Sequence, residues 1–202
     1  MNIYLVRHGE TDWNKEHKLQ GQADIPLNDR GREMAEKTAE GLKGIDFDYA
    51  FSSPLERAVE TARIIIGDRD VEIKTDPRMK EINFGASEGC GLDDVKDHPE
   101  NPIYQFEFDT EHYVPSEGGE TFDEVYQRSN EFFMEEVLSL EGKYANVLIL
   151  GHGCTNRTIL NSIMEVPLRD FWHAKMHNCN VSIINVSGGV ATVTAETLSF
   201  CK

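Results

Sequence analysis

The sequence is poor in basic residues, and that shortage limits which partners it can bind. Its 202 residues include 20 lysines and arginines against 36 aspartates and glutamates, so the formal net charge is −16. This acidity argues against nucleic acid and against anionic membranes, because both favour a basic protein surface. A small anionic ligand stays compatible with the sequence, since a local cluster of arginine and histidine can oppose the overall charge.

Long hydrophobic runs and cysteine pairs are also missing. Runs such as Val147–Leu150 have the length of a strand, far below the roughly 20 residues of a membrane-spanning helix. Arg7 interrupts the apolar N-terminus too early for a secretory signal. The four cysteines form no C-x-x-C pair, which argues against a zinc site, a redox dithiol and a disulfide framework. We therefore expect a reduced, soluble, cytoplasmic protein.

Strand-like and helix-like segments alternate along the chain, which predicts the α/β class. Apolar runs predict strands at 2–7, 47–52, 71–74, 146–150, 181–186 and 190–196. We expect a three-layer α/β/α sandwich with a mostly parallel sheet and an antiparallel edge strand. At about 150 residues per domain, the length predicts one domain over 1–202. An irregular lobe is expected within it at about 75–119, where prolines and glycines are frequent.

Capping signals predict where the helices begin. Asn28 is placed to cap a helix over about 29–42, and Thr121 with Glu124 forms a capping box before a long helix. Ser53 followed by Pro54 predicts a third helix start, with that helix continuing to Ile66. A fourth helix is expected over 154–164. The polar stretch 8–27 is predicted to be a long loop, and long loops in compact domains tend to be functional.

Three polar clusters follow predicted strands, at the sheet edge where open α/β folds bind ligands. The first is Arg7-His8-Gly9, the second is Ser52-Ser53-Pro54 with Arg57 in the first turn of the next helix, and the third is Gly151-His152-Gly153. These residues predict an anion pocket built around a nucleophile. A neutral imidazole can attack phosphorus, while guanidinium groups stabilise the charge on the phosphoryl oxygens.

A departing alkoxide needs a proton, so a carboxylic acid must lie near the pocket. Glu81 has the best sequence context for this role, in the irregular stretch after the third strand. Asp76 and Glu88 are the neighbouring alternatives.

The ordered motifs resemble the histidine phosphatase superfamily, in its phosphoglycerate-mutase-like branch. The resemblance extends from Asn2 to about Val186, and it is specific because several motifs occur in the right order. The residues that carry it are Arg7-His8-Gly9-Glu10-Thr11, Gly21 with Asp24-Ile25-Pro26-Leu27 and Gly31, Ser52-Ser53-Pro54-Leu55-Glu56-Arg57-Ala58 with Thr61-Ala62, and Gly151-His152-Gly153.

The resemblance implies a role for each of nine residues and a reaction without metal ion or cofactor. His8 would be the phosphorylated nucleophile, and Glu81 would protonate the leaving oxygen and later activate water. The phosphate and substrate would be held by Arg7, Arg57, His152, Asn14, Gln20, Gly21 and Gly153.

The same resemblance favours a phosphatase acting on a small phosphorylated metabolite. The chain is short, and it reads Asn83-Phe84-Gly85 where the cofactor-dependent mutases resemble His-Tyr-Gly. A mutase-type phosphotransferase and a non-catalytic phosphate-binding module remain as alternatives. The sequence is also compatible with a homodimer.

Three other features are interpreted as structural. His173 and His177 have metal-ligand spacing, but no third ligand matches them. Cys154 lies close to His152, where positive potential could lower the pKa of a thiol, yet a packed side chain is the better interpretation. An acidic run is expected to be a solvated surface, and it comprises Glu107, Asp109, Glu111, Glu117 and Glu120.

Overall fold

The computed structural model describes residues 1–92, residue 95 and residues 98–201. Six strands form one sheet: β1 Asn2–Arg7, β2 Tyr49–Ser52, β3 Ile73–Thr75, β4 Asn146–Gly151, β5 Val181–Ser187 and β6 Val190–Leu198. Their order across the sheet is β3-β2-β4-β1-β5-β6.

The sheet is parallel over four strands and antiparallel at one end. β3, β2, β4 and β1 run in the same direction, whereas β5 pairs antiparallel with both β1 and β6. The predicted mostly parallel sheet is therefore confirmed, and its antiparallel part is a hairpin whose strand β5 lies between β1 and the edge strand β6. The Gly188-Gly189 turn of this hairpin has positive φ at both residues, a conformation that glycine tolerates.

The described ranges contain six α-helices: α1 Asp12–Lys15, α2 Asp29–Gly41, α3 Glu56–Ile66, α4 Pro102–Phe108, α5 Phe122–Phe132 and α6 Gly153–Met164. The two outer layers are formed by α2 and α3 on one face of the sheet and by α5 and α6 on the other. Alternate residues of β1 face opposite layers, because side chains of a strand alternate in direction. Tyr4 and Val6 pack with the α2 and α3 side, while Ile3 and Leu5 pack with the α5 and α6 side. None of the helices in the described ranges is long and apolar enough to cross a membrane.

Two of the predicted helix starts are confirmed, and one is wrong. Asn28 accepts a hydrogen bond from the Gly31 amide, and Thr121 forms the predicted capping box with Glu124. The prediction that α3 opens at Ser53 and Pro54 is wrong, because the helix begins at Glu56. Asp24 caps this start from the long loop, accepting a hydrogen bond from the Glu56 amide at 2.8 Å. A tertiary contact of this kind leaves no local signal in the sequence.

Both segments predicted as irregular contain some helix. The long loop over 8–27 includes the single turn α1, which Thr11 and Asn14 cap reciprocally. The segment over 75–119 includes α4 and three short 3-10 turns. Its apolar side chains form a separate core above the sheet edge, in which Phe84, Phe106 and Phe122 pack with Phe171.

Candidate active site

The carboxyl ends of β1, β2 and β4 bring the three predicted clusters to one cavity of about 620 Å³. His8 follows β1 directly, Arg57 is the second residue of α3, and His152 lies between β4 and α6. Eight of the nine predicted residues line this cavity: Arg7, His8, Asn14, Gln20, Gly21, Arg57, Glu81 and Gly153. His152 is fully buried behind them, with its ring centroid 5.1 Å from that of His8.

The ring of His8 is oriented by its own loop. Its Nδ1 lies 2.7 Å from the Gly9 carbonyl oxygen, which can only accept a hydrogen bond. Nδ1 therefore carries the proton, and Nε2 keeps a lone pair. Thr61 holds the Gly9 peptide by accepting from its amide at 3.0 Å. A nucleophilic Nε2 is the chemical consequence of this tautomer.

Asn178 is a site residue that the motifs did not reveal. Its Nδ2 donates to the carbonyl oxygens of His8 and Gly9, at 3.0 and 3.1 Å, and to Oδ1 of Asn14, at 3.1 Å. Because Oδ1 of Asn14 also accepts from the Thr11 amide, the Asn14 amide nitrogen is the part of this side chain left for a ligand. Asn178 thus fixes both the nucleophile's loop and a predicted phosphate contact.

Both histidines are held neutral. Burial, followed by the positive charges of Arg57 and Arg7, lowers the pKa of His8 well below its usual range. Burial, followed by Arg57 and His8, does the same to the pKa of His152. A neutral His8 is the nucleophilic form, so the site maintains the reactive state without a neighbouring base.

The two arginines are fixed at one end and unpaired at the other. Arg57 donates to the carbonyl oxygens of Gly21 and Ala23, both at 2.7 Å, and Arg7 donates to that of Met176 at 2.5 Å. The buried Nε atoms of both arginines have no hydrogen-bond partner among the described residues. Buried polar groups are nearly always paired, so unpaired guanidinium N–H groups beside one cavity indicate a site for an anion.

The loop that holds Arg57 depends on Glu88. One carboxylate oxygen of Glu88 accepts from the Gln22 amide at 2.7 Å, and the other accepts from the Ala23 amide at 2.9 Å. Gly21 has a φ of +53°, and a Cβ there would lie 2.1 Å from Glu88 Oε1. Glu88 therefore positions Arg57 through the carbonyls of this loop, and unlike Glu81 it is not among the residues that line the cavity.

Glu81 lies at the N-terminus of α6, where its carboxylate replaces a conventional cap. Oε1 accepts from the Ile82 and Thr155 amides at 3.0 and 3.1 Å, and from the Thr155 hydroxyl at 3.2 Å. Oε2 accepts from the Cys154 amide at 3.1 Å. The Thr155 hydroxyl has one proton, and the Lys80 carbonyl oxygen is its nearer acceptor at 2.7 Å. Two amides therefore donate to Oε1 and one to Oε2, so Oε2 is the less occupied oxygen, and Glu81 lines the same cavity as His8.

An ion pair beneath the site supports the segment that carries Glu81. Arg128 donates to both carboxylate oxygens of Glu120, at 2.9 Å each, and to the carbonyl oxygens of Arg78, Lys80 and Glu81. Glu120 also accepts from the Asn83 amide at 2.8 Å. The expectation of a wholly solvated acidic run is thus wrong for Glu120. It is also wrong for Glu107, which is half-buried and lines the cavity.

Asp76, the other alternative acid, is paired with Arg78 outside the cavity. Its two carboxylate oxygens accept from the Arg78 guanidinium at 3.0 and 2.8 Å. Burial acts to raise the pKa of Asp76, but the hydrogen bonds from Arg78 outweigh it and lower that pKa. Asp76 is not among the residues that line the cavity.

The structure places Cys154, His173 and His177 as follows. Burial, followed by the charge of Glu81, raises the pKa of the Cys154 thiol well above its usual range, so this cysteine is a packed side chain. His173 and His177 lie outside the helices and do not share a helix face. The described ranges contain no group of three or more His, Cys, Asp or Glu side chains that could hold a metal ion.

The buried neutral histidines predict a loss of stability in mild acid. His8 and His152 take up protons near pH 6.5 in the unfolded chain but only at lower pH in the folded one. The unfolded state therefore binds more protons below about pH 6.5, and the free energy of unfolding falls as pH decreases, by up to about 2.7 kcal/mol per pH unit for two groups. Urea unfolding between pH 7.5 and 5.5 measures this slope.

The matched variants are His152→Asn, which should roughly halve the slope, and His98→Asn at an exposed site, which should not change it. An unchanged slope in His152→Asn would show that the pKa of this histidine is the same in the folded and unfolded states.

Comparison with known proteins places the chain among phosphate-transferring enzymes. Residues 3–197 match the model of the histidine phosphatase superfamily (branch 1). The "Adenosylcobalamin/alpha-ribazole phosphatase" of Escherichia coli is 30% identical over 96% of this chain and 94% of that protein. The "Probable phosphoglycerate mutase GpmB" of Enterobacter sp. is 31% identical over 92% of this chain and 85% of that protein. The structure of YhfR from Bacillus stearothermophilus superposes with a TM-score of 0.91, at 34% identity over 100% of this chain and 99% of that one.

Proposed function

The chain is a phosphatase that belongs to branch 1 of the histidine phosphatase superfamily, and we propose that it hydrolyses a small phosphomonoester through a phosphohistidine on His8. One observation carries this proposal. The lone pair of His8 Nε2 and the unpaired Nε groups of Arg7 and Arg57 meet at one cavity. A nucleophile beside fixed positive charge is what phosphoryl transfer requires.

In the first step, His8 Nε2 attacks phosphorus and the bond to the leaving alcohol breaks. Arg7 and Arg57 stabilise the charge that spreads over the phosphoryl oxygens. Glu81, protonated, gives its proton through Oε2 to the leaving oxygen. In the second step the Glu81 carboxylate takes a proton from water, which attacks the phosphohistidine and releases phosphate.

The other predicted residues hold the phosphoryl group and the substrate. The Asn14 amide nitrogen and the Gly153 backbone amide are proposed to donate to phosphoryl oxygens. Gln20 and Gly21 form the substrate side of the cavity, and Thr11 donates to Oε1 of Gln20 at 2.9 Å, which leaves the Gln20 amide nitrogen for the ligand. His152 is proposed to contact the phosphoryl group beside His8, because its ring lies 5.1 Å from that of His8 and its two buried ring nitrogens are unpaired among the described residues.

A direct experiment separates the phosphatase from the two alternatives. With a simple phosphomonoester and a chelator such as EDTA, a metal-independent phosphatase releases inorganic phosphate at the same rate as without chelator. A mutase would interconvert 2- and 3-phosphoglycerate with little phosphate release, and a binding module would do neither. A rate that collapses with chelator and returns with added divalent metal would contradict the proposed mechanism.

We also propose a cytoplasmic location. The four free cysteines support it, since reduced thiols persist in that compartment. A homodimer stays a prediction, and sedimentation of the purified protein tests it.

A further inference from the structure

The cavity has two chemically different halves. Its inner half holds the charged groups around His8. Its outer half is formed by lining side chains that belong to the separate core described above, together with Phe108, and it is mostly apolar and aromatic. The side chains that form this outer wall are Leu19, Phe84, Phe106, Phe108 and Trp172.

The aromatic wall is rigid. The Trp172 indole donates to the Phe106 carbonyl oxygen at 2.8 Å, and the two rings pack edge to face with centroids 5.3 Å apart. Phe84 packs edge to face on Phe106 at 4.8 Å. Rings held in this way lose little freedom when a ligand packs against them, which favours binding of an apolar group.

The positively charged side chains of the outer half have negatively charged side chains near them. Lys18 pairs with Glu16 at 2.7 Å. Glu107 and Lys175 line the same cavity, and their opposite charges act on each other. With one carboxylate for each lysine, the outer half carries little net positive charge for a carboxylate or second phosphate on the leaving alcohol.

Phe108 is the feature that these interactions leave unexplained. Its side chain is 56% exposed at the mouth of the cavity, although Phe106 two residues earlier is 3% exposed. Its only ring contact among the described residues is with Tyr104, at 5.1 Å between centroids. Because Phe108 both lines the cavity and is exposed, its ring can contact a ligand from the solvent side.

We propose that this outer half binds the leaving alcohol through an uncharged apolar ring, so that the preferred substrates are phosphomonoesters of ring-bearing alcohols. This inference rests on the proposed phosphatase function and specifies its substrate class. The ring packs against the wall formed by Phe84, Phe106 and Trp172, and Phe108 covers it from the solvent side.

The test compares esters that share a primary alkoxide leaving group, so that intrinsic reactivity is matched. We expect kcat/KM for 2-phenylethyl phosphate to exceed that for ethyl phosphate at least about tenfold, mostly through KM. It should also exceed that for 3-phosphoglycerate, whose leaving alcohol carries a carboxylate. Equal values for the first two esters, or a preference for 3-phosphoglycerate, would overturn the assignment of substrate class while leaving phosphatase activity intact. If no ester released phosphate, the proposed function itself would be refuted and the substrate class with it.

A variant pair locates the subsite. Phe108→Ala should lower the ratio of the two kcat/KM values, 2-phenylethyl over ethyl phosphate, about fivefold. Met134→Ala is the matched control, because Met134 is 63% exposed and does not line the cavity, and it should leave that ratio unchanged. A ratio that Phe108→Ala does not move would show that the ring does not bind there.

Discussion

Replacing His8 by alanine is expected to lower kcat at least about ten-thousand-fold, because it removes the atom that accepts the phosphoryl group. The buried arginines remain in this variant, so inorganic phosphate should still protect it against thermal unfolding. Phosphate release from 2-phenylethyl phosphate and thermal melting with and without phosphate measure the two effects.

The control for this variant is His98→Ala, since His98 is an exposed histidine outside the cavity. It should hydrolyse the substrate at the unmodified rate. If His8→Ala kept more than about a tenth of the activity while remaining folded, His8 could not be the nucleophile.

Glu81→Gln is expected to have the second largest effect, and that effect should depend on the leaving group. A general acid contributes about a hundred- to ten-thousand-fold when the leaving oxygen is a poor one. We expect kcat/KM for ethyl phosphate to fall about a thousandfold, whereas that for p-nitrophenyl phosphate should fall less than about tenfold. Because kcat/KM covers the steps up to release of the alcohol, the comparison isolates protonation of the leaving oxygen.

Glu88→Gln provides the matched comparison for this test. Its carboxylate acts on the loop that holds Arg57 and does not contact the leaving group. It should therefore reduce kcat/KM for both esters by a similar factor. A leaving-group-dependent loss in Glu88→Gln, together with a uniform loss in Glu81→Gln, would reverse the assignment of the acid.

Sequence reasoning predicted the sheet and the meeting of its strand ends, for a clear physical reason. The strand β1 is a continuous apolar run, as expected for a strand buried on both faces, and Arg7 and His8 follow it directly. Parallel strands end at one edge, so the residues after β1, β2 and β4 meet whatever the loops do. The positions of these residues could therefore be predicted without knowing how the loops fold.

Residues that act through tertiary contacts could not be predicted in this way. Asn178 reaches His8 because β5 is antiparallel to β1, so the start of β5 lies at the same edge as the end of β1. A polar residue just before a strand that pairs antiparallel with β1 is the sequence signal that could have identified Asn178. Glu88 gave no such signal, because its partners are backbone amides 65 and 66 residues away.

The roles of the nine site residues, the absence of a metal requirement and the division into one domain with a lobe remain predictions.

Trapping the phosphorylated enzyme is the decisive test of whether His8 is the nucleophile. The enzyme is mixed with substrate, quenched in alkali because phosphohistidine hydrolyses in acid, digested and examined by mass spectrometry for one added phosphoryl group. We expect this group on the imidazole of His8, and we expect it to be absent from the His8→Ala protein. A phosphoryl group on another residue, or turnover with no phosphorylated enzyme at any reaction time, would contradict it.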